Sequence, residues 1–360
     1  MNLRIPGPTP LPPTVREASS RQMINHRGPQ FASLIKELTS DLQQFFLTKN
    51  DLYLLTGSGT GAMEAAVVNF LSPGDPVLAV SIGVFGDRFA RMLEAFGARV
   101  VRLSFPRGQA ADPEAVASTL RQHPEVVAVY VTHNETSTGV TNPLPEIARV
   151  VRDADKLLVV DAISSVGSIE FRTDEWGVDV AVSGSQKSWM SPPGVAMITV
   201  SPRAWEYYQR ARMPRFYWDI GHARSYLEKG QTPWTPAVGV FFALQEALRL
   251  MKEEGLERII ERHRRVGEYT RRRVRDLGLE LFADERYASD TVTAVRVPPG
   301  VDGKLLVARM RERHGVVLSG GQADLAGQIF RIGHLGWVDV ADIEPVFEAL
   351  RQELGTTARA

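Results

Sequence analysis

Four short segments of this chain carry residue types that could do chemistry. The first is Ser183-Gly184-Ser185-Gln186-Lys187-Ser188-Trp189-Met190-Ser191-Pro192-Pro193-Gly194, a lysine in a loop of small and apolar residues. Such neighbours desolvate an ammonium, and desolvation lowers a lysine pKa from about 10.4, freeing the amine to form a Schiff base. The second is the aspartate that closes Leu157-Leu158-Val159-Val160-Asp161. A lone carboxylate at the end of an apolar strand needs a partner. A salt bridge, a helix N-terminus or the protonated ring nitrogen of a cofactor would each serve. The third is Gly57-Ser58-Gly59-Thr60-Gly61, a glycine-rich turn between a strand and a helix. Free backbone N–H groups and the helix dipole favour an anion there, phosphate above all, and the Ser58 and Thr60 hydroxyls add donors. No Gly-Lys-Ser/Thr follows, so this is not a P-loop, and the glycine spacing does not match a dinucleotide fingerprint. The fourth is Arg331, inside the apolar run Ile329-Phe330-Arg331-Ile332. A buried arginine needs a carboxylate from the protein or, through a bidentate fork, from a substrate.

Taken in chain order these are a phosphate cradle, a ring-nitrogen acid, a Schiff-base lysine and a carboxylate-binding arginine. That set is the equipment of a pyridoxal-phosphate enzyme acting on amino acids.

The elements that would position these groups are legible as apolar runs. Leu52–Thr56, Val77–Ile82, Val100–Leu103, Val126–Thr132, Leu157–Asp161, Val178–Ser183 and Ala196–Val200 read as strands covered on both faces. Helical patterns at Gly61–Leu71, Asp87–Phe96, Pro113–Gln122 and Pro145–Asp153 alternate with them. This alternation predicts an α/β protein with a mainly parallel sheet, whose chemistry gathers at the carboxyl ends of its strands. A long helix at Val240–Lys252 and a charged one at Leu256–Leu277 follow. Strands near Thr291–Val297 and Ile329–Ile332, with helices at Gly303–His314 and Val340–Leu354, predict a smaller α+β domain. The arginines of 262–275 read as a solvated helix face, and Thr356–Ala360 as a short tail.

Composition narrows the function further. Lys+Arg 42 balances Asp+Glu 42, which argues against a nucleic-acid partner. The chain has no cysteine, so a disulfide framework, a thiolate metal site and a cysteine nucleophile are all excluded. No apolar run approaches a membrane span and no leader pattern opens the chain, so a cytoplasmic protein is expected.

The segments Gly57-Ser58-Gly59-Thr60, His133-Asn134-Glu135-Thr136-Ser137-Thr138-Gly139, Asp161-Ala162-Ile163-Ser164-Ser165 and Ser183-Gly184-Ser185-Gln186-Lys187 resemble the class V aminotransferases. The nearest branch is the alanine–glyoxylate and serine–pyruvate (serine–glyoxylate) group. The likeness runs from Pro6 to Arg331. It implies the fold-type I architecture: a large domain (15–254) with a seven-stranded, mainly parallel sheet, a small domain (1–14 and 255–360), and a homodimer with shared active sites. It implies pyridoxal 5'-phosphate tethered to Lys187, with Asp161 on the ring nitrogen. Ser58, Gly59, Thr60 and Gln186 would hold the phosphate, Phe85 would stack on the ring, and Thr136 would meet its hydroxyl. Ile163 joins this cofactor set, and Thr232 and Thr235 would reach the partner subunit's phosphate. Arg331, with Gly7, would receive the substrate. Thr60, Thr232 and Asn134 depart from residues common in that branch, which bears on substrate rather than cofactor. The segment Asn25-His26-Arg27-Gly28 is similar to broader class V members, so His26 or Arg27 would contact a distal substrate group or the partner. The expected reaction is ping-pong transamination of alanine or serine with glyoxylate or pyruvate. Aspartate- or phosphoserine-type enzymes and a kynureninase-like lyase are the alternatives; cysteine desulfurase is excluded by the missing cysteine.

Overall fold

A computed structural model describes residues 1–357. The last residues of the expected tail, 358–360, lie outside the described residues, and the final helix runs on to Thr357.

The central sheet has seven strands: β1 (Asp51–Gly57), β2 (Pro76–Ser81), β3 (Arg99–Ser104), β4 (Ala128–Thr132), β5 (Leu157–Asp161), β6 (Val180–Gly184) and β7 (Gly194–Val200). Their spatial order is β1-β7-β6-β5-β4-β2-β3. Only β7 runs antiparallel to its neighbours β1 and β6. The short connection from Gly184 to Gly194 explains this, because a parallel return needs a crossover of a dozen or more residues. Strands β4, β5 and β6 are buried along their whole length. Their side chains feed two apolar clusters, one on each face of the sheet.

The helices of ten or more residues are α1 (Pro29–Phe46), α2 (Gly59–Val68), α3 (Val84–Ala95), α4 (Pro113–Gln122), α5 (Leu144–Asp153), α6 (Val238–Glu254), α7 (Leu256–Asp276), α8 (Gly303–His314) and α9 (Val340–Thr357). Helix α2 begins two residues earlier than the sequence pattern suggests and ends at Val68. Ser58 takes the extended N-cap conformation, so Gly59 and Thr60 form the first turn rather than a loop. Likewise α3 begins at Val84, which puts Phe85 in its first turn.

A second core gathers α7, α8 and α9 around a three-stranded antiparallel sheet with Ile329–Gly333 between Val292–Arg296 and Ser319–Gly320. The N-terminal strand Asn2–Leu3 pairs with Val316–Val317 of this unit. The chain then returns over the central sheet, where Thr9 N–H donates to the Gln186 carbonyl at 3.0 Å. The arginines of α7 do more than face solvent. Arg262 pairs with Glu254 and donates to the Gly336 and Val338 carbonyls, and Arg271 reaches Ser289 and Asp290. No helix among the described residues is long and apolar enough to cross a membrane.

Candidate active site

Strand ends and helix starts converge on one cavity of about 140 Å³. Its lining includes Gly59, Thr60, Phe85, Thr136, Asp161, Ile163, Gln186 and Lys187, all expected from the sequence. Asn134, Ser164 and Arg88 complete it.

Lys187 sits in the loop between β6 and β7. Its Nζ donates to the Pro6 carbonyl at 2.6 Å. The N-terminal segment packs so closely here that a Cβ on Gly7, at φ +128°, would stand 2.6 Å from that Nζ. Gly7 is therefore fixed both by its backbone angle and by the lysine it covers. Burial lowers the Lys187 pKa to about 8; Asp161 opposes this, while Arg331 and Arg88 add to it. The loop backbone is held independently of the side chain: Thr9 Oγ1 and Met190 N–H both donate to the Lys187 carbonyl.

Asp161 is 4% exposed, and its carboxylate accepts a hydrogen bond from Ile163 N–H at 3.0 Å. Burial pushes its pKa up to about 7, opposed by that bond and reinforced by Glu135. A cation placed against this carboxylate would restore its ionised form.

At the other end of the cavity lies the start of α2. The Ser58 hydroxyl is exposed and caps no helix N–H. A Cβ on Gly59 would strike the Ile163 side chain at 2.7 Å, so a larger residue here would have to displace Ile163 from the floor of the cavity. The Gln186 side chain leaves its buried Oε1 without a partner. Amide O and N are interchangeable by a flip, so this end can also donate.

Thr136 is buried, and its carbonyl accepts from Arg331 Nη1 at 2.9 Å. Arg331 Nε and Nη2 both donate to the Gly320 carbonyl. No carboxylate among the described residues lies within ion-pair distance of Arg331, although it is only 4% exposed. Burial lowers its pKa to about 10, with Glu135 opposing. Glu135, fully buried, accepts from the N–H groups of Phe85 and Gly86 and from the Ser137 hydroxyl, which anchors the first turn of α3 beneath the Phe85 wall. Asn134 is consumed by structure: it donates to Ser164 and Thr291 and accepts from Thr141.

Other expected residues lie away from this cavity in the same chain. Thr232 packs beside Tyr217 and Trp234, and Thr235 is exposed. Arg27 clamps that segment by donating to the Thr232 and Pro233 carbonyls, and His26 is likewise outside the cavity. His133 turns from the cavity to lie between Phe171 and Trp176, and its Nδ1 has no partner.

That placement gives His133 a pH signature. Burial lowers its pKa to about 3 from 6.5. The folded state keeps it neutral, while the unfolded chain takes a proton below about pH 6.5. The stability it contributes is full above that pH and is lost as pH falls toward 3, at up to about 1.4 kcal/mol per pH unit. Urea unfolding of His133→Asn across pH 4 to 7 should show an acid limb flatter by that slope than the parent's. Parallel limbs would show that the histidine is protonated in the fold.

Residues 7–332 match the family described as Aminotransferase class-V. The chain belongs to the class V aminotransferases. A serine–glyoxylate aminotransferase from Methylorubrum extorquens is 38% identical over 93% of this chain and 86% of that protein. The crystal structure of an alanine–glyoxylate aminotransferase from Nostoc sp. superposes with a TM-score of 0.95 at 35% identity, covering 98% of this chain and 95% of that one. A protein of Synechococcus sp. named as the small subunit of a soluble hydrogenase is 45% identical over 99% of this chain and 94% of that protein. The name is that protein's own; this chain has no cysteine to serve as a thiolate metal ligand. The enzyme has the α/β fold-type I architecture of its family, which is pyridoxal-phosphate-dependent in general. The cavity suits that cofactor: it offers a buried amine, a buried acid, an unpartnered Gln186 amide and the glycine-lined start of a helix.

Proposed function

We propose that this aminotransferase exchanges the amino group of a small amino acid, alanine or serine, with a 2-oxo acid, glyoxylate or pyruvate, in a pyridoxal-phosphate-dependent, ping-pong sequence. The observation that carries the reading is Lys187: an amine with no ion pair among the described residues, its pKa lowered to about 8, in one cavity with the buried Asp161. The names of the serine– and alanine–glyoxylate relatives supply the substrate class.

When bound, the cofactor supplies an aldehyde to take the amino group and a ring to accept the electron pair released at the substrate Cα. In this proposal Ser58, Gly59, Thr60 and Gln186 bind its phosphate, Phe85 and Ile163 flank its ring, and Thr136 meets its hydroxyl. Asp161, ionised by the cation it would face, would keep the ring nitrogen protonated. Lys187 Nζ, freed from its tether, moves the proton on and off the substrate Cα, a task suited to an amine titrating near 8. Arg331 orients the substrate through its carboxylate.

We further propose a cytoplasmic homodimer in which Thr232 and Thr235 serve the partner subunit's phosphate. The exposed aromatic surface beside them, with Phe216 69% and Tyr217 44% exposed, supports that reading. Light scattering that returned a single-chain mass would remove it.

The test is a half-reaction screen. Purified holoenzyme mixed with each of about twenty amino acids should bleach fastest with alanine or serine, and adding glyoxylate or pyruvate should restore the colour. Bleaching only by aspartate or phosphoserine, or a keto product formed with no need for a second oxo acid, would contradict the assignment.

A further inference from the structure

Arg88 is a cation in this cavity to which neither the resemblance nor the reaction gives a task. It lies three residues after Phe85 on α3, so both side chains leave the same helix face. Its guanidinium carbon stands 4.7 Å from the centre of the Phe85 ring, and its Nη1 is 3.4 Å from Thr60 Oγ1. Thr60 is the second residue of α2, where backbone N–H groups point outward without partners.

Two observations leave the Arg88 charge open to an anion. No carboxylate among the described residues lies within ion-pair distance of it. Its neighbour Asp87 is already committed, to Arg107 at 2.7 Å and to the Ser81 hydroxyl at 2.6 Å. Arg88 and Lys187 are also the two cationic side chains in the cavity lining. Lys187 is assigned to covalent chemistry and Arg331 to the substrate carboxylate, which leaves Arg88, among the described residues of this lining, as the cation for a phosphate. A helix N-terminus supplies about half a charge, whereas a phosphate monoester carries between about 1.5 and 2. The guanidinium fork matches such an oxyanion in geometry and charge.

We propose that Arg88 is a cofactor-binding residue: the cationic partner of the phosphate received by Ser58, Gly59 and Thr60. This rests on the reading of the cavity as a pyridoxal-phosphate site. The second carboxylate of an acidic substrate has the same chemistry, and the contact with Thr60 decides for the phosphate.

The experiment uses full-length protein stripped of cofactor, as parent, Arg88→Gln and Arg88→Lys, each checked for an unchanged cofactor-free melting point. Pyridoxal phosphate and pyridoxal, which lacks the phosphate, are titrated separately while absorbance and equilibrium dialysis report binding. Arg88→Gln should weaken pyridoxal phosphate about 10- to 100-fold, as for a lost charge-assisted hydrogen bond, and leave pyridoxal unchanged. Arg88→Lys should recover part of that loss. Undiminished pyridoxal phosphate binding in Arg88→Gln, or equal loss of both ligands, overturns the proposal. A defect confined to aspartate relative to alanine also overturns it and moves Arg88 to the substrate. A parent protein that binds neither compound overturns the cofactor reading itself, an outcome distinct from failure of the Arg88 assignment alone.

Discussion

Lys187→Ala should leave a folded protein with turnover reduced at least about a thousandfold and no absorbance near 400–430 nm (about the range expected of this cofactor's imine). The loop that carries the lysine does not depend on its side chain. Thr9 and Met190 hold the residue by its carbonyl, Ser185 Oγ donates to the Pro192 carbonyl, and Trp189 Nε1 donates to Ser183 Oγ at 2.9 Å. The variant removes one desolvated amine whose hydrogen bond goes to the Pro6 carbonyl, so its melting point should stay within a few degrees of the parent's. Loss of chemistry without loss of fold is therefore the expected pattern. A variant that kept both colour and rate would remove Lys187 from the reaction.

Arg331→Ala should act on binding. The guanidinium is buried, bonded to two backbone carbonyls, and without a carboxylate partner among the described residues. A buried charge in that state attracts the substrate's carboxylate, and truncating one partner of such a pair costs about 2–5 kcal/mol, or roughly 30- to several-thousand-fold in affinity. Steady-state KM for the amino acid should rise by that factor, with a smaller fall in kcat. Arg331→Lys should recover only part of it, because an ammonium keeps the charge but loses the fork. Equal KM values in parent and Arg331→Ala would place carboxylate recognition elsewhere.

Much of this architecture could be read from the chain because strands covered on both faces are solid apolar runs. Leu157–Asp161, Pro113–Gln122 and Gly303–His314 have the same bounds in the structure as in the sequence pattern. The site loops were legible for a related reason: a lysine, an acid and a glycine-rich turn each sit where an apolar run stops. Helix α1 escaped the sequence reading, although Phe31, Leu34, Ile35, Leu38, Leu42 and Phe45 repeat at helical spacing. The short helices Pro202–Arg210 and Ile220–Leu227 were also missed; each is too brief for its period to stand out. Strand order is non-local and left no trace in the pattern, although the brief Gly184 to Gly194 connection was a sign of the antiparallel strand. Arg88 was invisible for another reason. Its importance lies in a missing counter-ion and a contact with Thr60 from a different helix, and neither exists until the chain is folded.

The central claim is a covalent bond at one nitrogen. Borohydride reduction of the purified, cofactor-loaded enzyme, followed by peptide mass spectrometry, should find a pyridoxyl group on Lys187 and on no other lysine. Modification of a different lysine, or none at all in a coloured preparation, would contradict it.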